Sequence, residues 1–192
     1  MKTKSQEEKE NRSKFHIEEK LLKSRTLMIY GTIDQKLAKE ITSKLLILSS
    51  ESQQEIKIFI NSQGGHVESG DTIFDMISFC KAPVKIIGTG WVASAGALIF
   101  VATPVERRFC LPNTRFMIHQ PLGGLMGSAT DMAIEAQEIV KMKKRLNETI
   151  AKQTGQSYKK VAMDTDRNFW MSAEEAKSYG IVGKIIKSET EI

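Results

Sequence analysis

The 192-residue chain predicts an α/β fold built on a mostly parallel sheet. Short aliphatic runs at residues 56–60, 84–88 and 114–118 alternate with longer segments of helical period. That alternation is the signature of βαβ units. A hydrophobic content of 41% over this length supplies one sizeable core, so a single domain spanning residues 1–192 is expected. No internal repeat breaks the chain into smaller units.

Taken in order, residues 1–15 are polar and charged and read as a loop or disordered start, within a charged N-terminal segment of residues 1–20. Residues 27–31 read as a strand. Asp34 is placed to cap a helix over 35–50, with Leu37, Ile41, Leu45 and Leu48 along one face. A strand over 56–60 follows. A helix over 69–80 has Ile73, Met76, Ile77 and Cys80 at helical spacing. Residues 84–88 form the next strand, and the small-residue run 95–102 opens a helix. After a strand at 114–118 comes a long helix, 128–153, its start marked by Ser128, Thr130 and Asp131. Short helices over 157–164 and 173–178 precede a last strand at 181–186. The long helix is odd for a monomer, because its apolar stripe needs a partner. Gly123, Gly124 and Gly127 allow the preceding segment to flex.

Composition excludes several classes. No run of 18 apolar residues exists, so no membrane-spanning helix is expected. The charged start lacks the apolar core of a secretory signal. Cys80 and Cys110, both in apolar surroundings, fit free buried thiols in a reducing, cytoplasmic compartment. The net charge is +5, but lysines and glutamates interleave. That favours a solvated mixed-charge surface over a nucleic-acid site.

Three segments point to chemistry. In Gly90-Trp91-Val92-Ala93-Ser94-Ala95-Gly96-Ala97, a serine stands between small residues where a strand passes into a helix. Such a junction exposes the hydroxyl and points backbone N–H groups at a bound oxygen. Val92 two residues before Ser94 means the Gly-x-Ser-x-Gly elbow is not met, and a helix-capping or packing serine is the bland alternative. His119 ends a buried strand, where a rigid scaffold can hold it as a general base for Ser94; a core histidine bonded to backbone is the alternative. The pair Gly64-Gly65 after the 56–60 strand lets backbone approach a ligand closely, or simply makes a turn.

Together these segments, with the run from Arg108 to Gly124, Thr154-Gly155-Gln156-Ser157 and the run from Asp164 to Ala176, resemble the ClpP family, the proteolytic subunits of the Clp protease. The likeness runs from about Leu21 to about Ile186. It implies a ClpP/crotonase-like βαβ superhelix in which residues 123–153 form a protruding handle. It implies Ser94 as nucleophile, His119 as general base, and the backbone N–H groups of Gly65 and Ala95 as the oxyanion hole. Gly65 is expected there because a side chain would obstruct the substrate carbonyl. The resemblance further implies heptameric rings stacked as a tetradecamer, with Asp166 and Arg167 as a ring–ring contact. It implies an AAA+ unfoldase partner of the ClpX, ClpA or ClpC type, and unfolded polypeptide as substrate. No cofactor is expected in this chain, ATP being used by the unfoldase, and no metal, nucleic acid or membrane is implied.

The chain departs from the family at the third triad position. Asn168 stands where the family carries Asp. An amide oxygen can accept from the histidine N–H, but it brings no charge to stabilise an imidazolium. Three readings follow: a weakly active subunit, one activated by a second ClpP-type ring, or a structural ring subunit of a mixed complex. Gln63 replaces the family's usual Pro, and the N-terminus lacks the family's apolar stretch. A crotonase-type acyl-CoA enzyme shares the fold, but its chemistry has no use for a Ser-His pair at these positions.

Overall fold

The computed structural model describes residues 16–123 and 126–192. The charged start over residues 1–15 and the hinge residue Gly124 lie outside the described residues. Residues 16–20 of the predicted charged segment belong instead to a helix, α1 (residues 16–23).

Seven strands make one sheet. β1 (Thr26–Ile33), β2 (Ile56–Gly65), β3 (Val84–Ala93), β4 (Arg108–Cys110) and β7 (Lys184–Ile185) run in that spatial order, each parallel to its neighbour. The sheet forks at β3. Its first half pairs with β4, from Ile86 opposite Arg108 to Gly88 opposite Cys110. Its second half pairs with β5 (Arg115–Ile118), from Trp91 opposite Arg115 to Ala93 opposite Met117. The split is held at Gly88, whose carbonyl accepts from Leu111 N–H and from the buried Thr114 hydroxyl, both at 3.0 Å. β6 (Phe169–Met171) adds antiparallel to β5 alone.

Helices cover the sheet for ordinary reasons. α2 (Gln35–Glu51) starts where the Asp34 carboxylate accepts from Leu37 N–H and buries Ala38, Ile41, Leu45 and Leu48. α3 (Val67–Phe79) packs on α2 and on α4 (Ala95–Phe100), all six residues of which are buried. α5 (Ala129–Thr154) is capped by the Ser128 hydroxyl and stopped by the left-handed Gly155. It buries only Leu146, Asn147 and Ile150, near its C-terminal end, while Ile134 and Val140 stay 54% and 66% exposed. The predicted unsatisfied stripe is therefore present in the isolated chain. α6 (Tyr158–Asp164) and α7 (Ala173–Tyr179) pack at its base.

Several elements depart from expectation. β2 continues through Gly64-Gly65 instead of turning there, and β3 runs on to Ala93. Three-residue β4 and β6 were not foreseen. The last strand shortens to Lys184–Ile185, because Gly183 passes so close to the Val105 carbonyl that a Cβ there would sit 2.0 Å from its oxygen. Ile181 and Val182 are buried as a loop instead. Cys110 is buried as expected, but Cys80 is only half-buried.

One charged group organises the base of the fold. Arg108 is 1% exposed and, among the described residues, faces no carboxylate at bonding distance. Its guanidinium donates to the carbonyls of Thr103 (2.6 Å), Val101 (3.1 Å), Gln153 (2.8 Å) and Gly180 (3.2 Å), and to Gln153 Oε1 (2.8 Å). The Val101, Gln153 and Gly180 carbonyls lie at the C-terminal ends of α4, α5 and α7, whose dipoles present negative charge, and Thr103 lies in the turn that follows α4. Burial lowers the guanidinium to about 10, which still leaves it a cation at neutral pH.

Candidate active site

Ser94 stands at the N-cap position of α4, directly after β3, with φ 55° and ψ −122°. A left-handed φ is rare for a residue with a Cβ and costs on the order of 1–3 kcal/mol. The strain turns the hydroxyl away from capping. It makes no bond to the helix N–H groups, which removes the bland capping reading. Ser94 N–H donates to the Met117 carbonyl at 2.9 Å, fixing the end of β3 against β5.

His119 follows β5 by one residue. Its Nε2 lies 2.8 Å from Ser94 Oγ, and its Nδ1 lies 3.0 Å from Asn168 Oδ1. The imidazole is therefore bonded to side chains on both sides and not to backbone. With an amide oxygen facing Nδ1, the ring proton sits on Nδ1, and Nε2 is the acceptor for the Ser94 hydroxyl. The meeting of His119 with Asn168 follows from strand register. β5 and β6 pair Met117 with Trp170 and Ile118 with Phe169. One more step places His119 opposite Asn168.

The segment carrying Asn168 is tied down locally. Gln120 N–H donates to the Thr165 carbonyl, and Gln120 Nε2 to the Asp166 carbonyl, both at 2.6 Å. Thr165, fully buried, donates through its hydroxyl to Asn147 Oδ1 or the Val161 carbonyl, each at 2.8 Å. Sequence reasoning missed Gln120, Thr165 and Asn147. Nothing in their local pattern marks them, because each acts through a contact distant in sequence.

Gly64 and Gly65 are each closed to a side chain, by different neighbours. A Cβ on Gly64 (φ +98°) would lie 2.6 Å from Ser94 Cβ and 3.0 Å from its hydroxyl. A Cβ on Gly65 (φ +155°) would lie 2.2 Å from the Ile33 carbonyl oxygen, in the backbone of β1. β1 by itself excludes a side chain at Gly65, whatever the substrate requires, and Gly64 is the glycine that leaves room for the serine. Gly64 N–H is taken by the Ser62 hydroxyl at 3.0 Å. Ala95 is the first residue of α4, where N–H groups lack intrahelical acceptors.

A small apolar cleft opens beside Ser94 and His119, lined by Val67, Leu98, Ile118, Pro121, Leu146 and Ile150. Asp166 and Arg167 are exposed. They do not pair by side chains: Asp166 Oδ1 meets Lys143 Nζ of α5 at 3.1 Å, and Arg167 donates to the Asp166 carbonyl at 3.4 Å. Among the described residues, no helix is long and apolar enough to cross a membrane.

A family model described as Clp protease matches residues 7–189. The ATP-dependent Clp protease proteolytic subunit 3 of Rhizobium etli is 57% identical over 91% of this chain and 90% of its own. The proteolytic subunit 2 of Gluconobacter oxydans is 58% identical over 92% and 80%. Among solved structures, ClpP1 from Listeria monocytogenes aligns with a TM-score of 0.83 at 54% identity, covering 91% of this chain and 98% of that one. A single asparagine-to-aspartate mutant of that ClpP1 aligns at 0.85 and 55%, with the same coverage.

Proposed function

The chain belongs to the Clp protease family as a proteolytic subunit, a serine-type peptidase, and we propose that Ser94, His119 and Asn168 are its catalytic residues. The single observation that carries this assignment is the continuous relay from Ser94 Oγ through His119 to Asn168 Oδ1, with both links at 3.0 Å or less.

The reaction is acyl transfer. Ser94 Oγ attacks the scissile carbonyl as His119 Nε2 takes its proton. The tetrahedral oxyanion accepts hydrogen bonds from the N–H groups of Gly65 and Ala95. His119 then protonates the leaving amine, and the acyl group stays on Ser94 as an ester. A water molecule, deprotonated by His119, attacks that ester, and His119 returns the proton to Ser94 Oγ as the second product leaves. Asn168 holds the ring in the required tautomer through its oxygen. Being neutral, it offers less to the transient imidazolium than a carboxylate would, so turnover is low for the family. The chemistry needs no cofactor from this chain. The apolar cleft beside Ser94 suits an apolar substrate side chain next to the cut bond.

Family membership makes this an oligomeric protease working with a Clp ATPase. We propose the finer form: two heptameric rings enclosing a chamber, joined through the exposed stripe of α5 and the Asp166–Arg167 region, fed with unfolded polypeptide by an AAA+ unfoldase in the cytoplasm. Ser94→Ala, assayed with a short fluorogenic peptide on a particle checked by sedimentation, is expected to lose activity with assembly intact. Hydrolysis within twofold of the parent protein would refute Ser94 as nucleophile. Asp166→Ala or Arg167→Ala should weaken ring stacking, and two variants that both sediment as intact double rings would refute that contact.

A further inference from the structure

The chain's two tryptophans meet on one face of the sheet. The Trp91 and Trp170 rings stack with centroids 6.3 Å apart and planes 8° from parallel. The Arg115 guanidinium lies over the Trp170 ring at 4.5 Å. All three side chains are exposed, so burial of a core does not explain the cluster.

Its placement does. Trp91 is on β3, three residues before Ser94. Arg115 is on β5, four residues before His119. Trp170 is on β6, two residues after Asn168. Each strand that adjoins a residue of the relay, β3 before Ser94, β5 before His119 and β6 after Asn168, contributes one member of the cluster. Side chains two apart on a strand share a face, so Arg115, Met117 and His119 line one side of β5, and Asn168 and Trp170 line the same side of β6. β3 and β6 do not pair with each other; both pair with β5. The stacked indoles therefore reach across β5 and join its two neighbours directly. β6 is three residues long and, among the described residues, pairs on one side, with β5, which makes it the least anchored of the three strands. The His119–Asn168 link is the next rung of its short ladder.

We propose that Trp91, Arg115 and Trp170 form a positioning brace that holds β6 in register, and so keeps Asn168 on His119 during hydrolysis at Ser94. The brace rests on the reading of Ser94, His119 and Asn168 as the reacting relay. It touches neither substrate nor the reacting atoms. Stacked aromatic pairs and exposed cation–π contacts are each modest, yet a small displacement of a positioning group is felt strongly in turnover.

The test is a double-mutant cycle in kcat and KM on a short fluorogenic peptide, using assembled particles of Trp170→Ala, Trp170→Phe, Asn168→Ala and the Trp170→Ala/Asn168→Ala double variant. Trp170→Ala should lower kcat about tenfold with KM within about twofold, and Trp170→Phe should recover most of the loss. In the Asn168→Ala background, Trp170→Ala should change kcat by less than about twofold, because the geometry it protects is already gone. Should Trp170→Ala not assemble, Arg115→Ala, which removes only the cation, carries the same cycle. Losses that multiply in the double variant, or a KM effect without a kcat effect, overturn the brace. Activity retained by Ser94→Ala would instead sink the underlying chemistry, whereas an inactive Ser94→Ala with multiplying losses sinks the brace alone.

Discussion

Replacing Asn168 by aspartate asks whether charge limits this enzyme. His119 Nδ1 and Asn168 Oδ1 are 3.0 Å apart, which places the centres of an imidazolium and a carboxylate at about 4 Å. Two unit charges at that separation attract by about 4 kcal/mol at an effective dielectric of 20, and by about 1 kcal/mol in water. Asn168 is exposed and His119 half-buried, so the lower part of the range applies, about 1–2 kcal/mol. At about 1.4 kcal/mol per decade, that is roughly a 5- to 30-fold rise in kcat. The change disrupts nothing else, since among the described residues the Asn168 Nδ2 atom donates to no neighbour. The gain belongs in kcat and not KM, because the imidazolium exists only along the reaction path. The assay is peptide hydrolysis at neutral pH by Asn168→Asp and the parent chain, each verified as the same assembly by sedimentation. An unchanged kcat would refute the argument that missing charge limits the rate.

Gly64→Ala should lower kcat by about 100-fold, because its methyl must push Ser94 off its 2.8 Å contact with His119; normal turnover in a folded variant would contradict that packing. Arg108→Ala should destabilise the fold by more than about 3 kcal/mol, since it strands the carbonyls at three helix ends; a urea-midpoint change equivalent to less than about 1 kcal/mol would contradict the role of that cation. The Cys110 thiol is pushed up to about 12 by burial, so it should resist iodoacetamide at neutral pH until the protein unfolds, as read by mass spectrometry. Glu175 accepts from the Ser172 N–H and hydroxyl in a capping box, which holds its carboxylate below the usual range. That contribution is present above the ordinary carboxylate value and is lost as pH falls through the lowered one, so Glu175→Ala should cost stability at neutral pH and progressively less as the pH is lowered through that value in parallel denaturant titrations.

Local pattern made the long-period elements legible. Asp34 before a clean apolar face predicts α2, and the Ser128 cap predicts the start of α5. Ser94 at a strand–helix junction and His119 at a strand end were also legible, because each chemical residue sits where an aliphatic run stops. What escaped has a common cause. β4 and β6 are three residues long, too short for a period of two to declare itself. Gly64-Gly65 carries the strongest turn signal in its region, yet the strand continues through it because β1 and Ser94 both press against the backbone. The bonding of Asn168 to His119 depends on antiparallel register between segments about fifty residues apart, which no spacing rule reveals. Resemblance alone pointed to Asn168. Arg108 looked like one more charge in a basic chain, and only the convergence of three helix ends shows why it is buried.

Activation of Ser94 by His119 as a nucleophile is open to a fluorophosphonate titration. Peptidase activity should fall in proportion to label incorporated and vanish when each subunit carries a single adduct, located on Ser94 by peptide mass spectrometry. His119→Ala should take up the label far more slowly. Full activity in a particle labelled at Ser94, or an adduct found on another residue as activity disappears, would rule out Ser94 as the nucleophile.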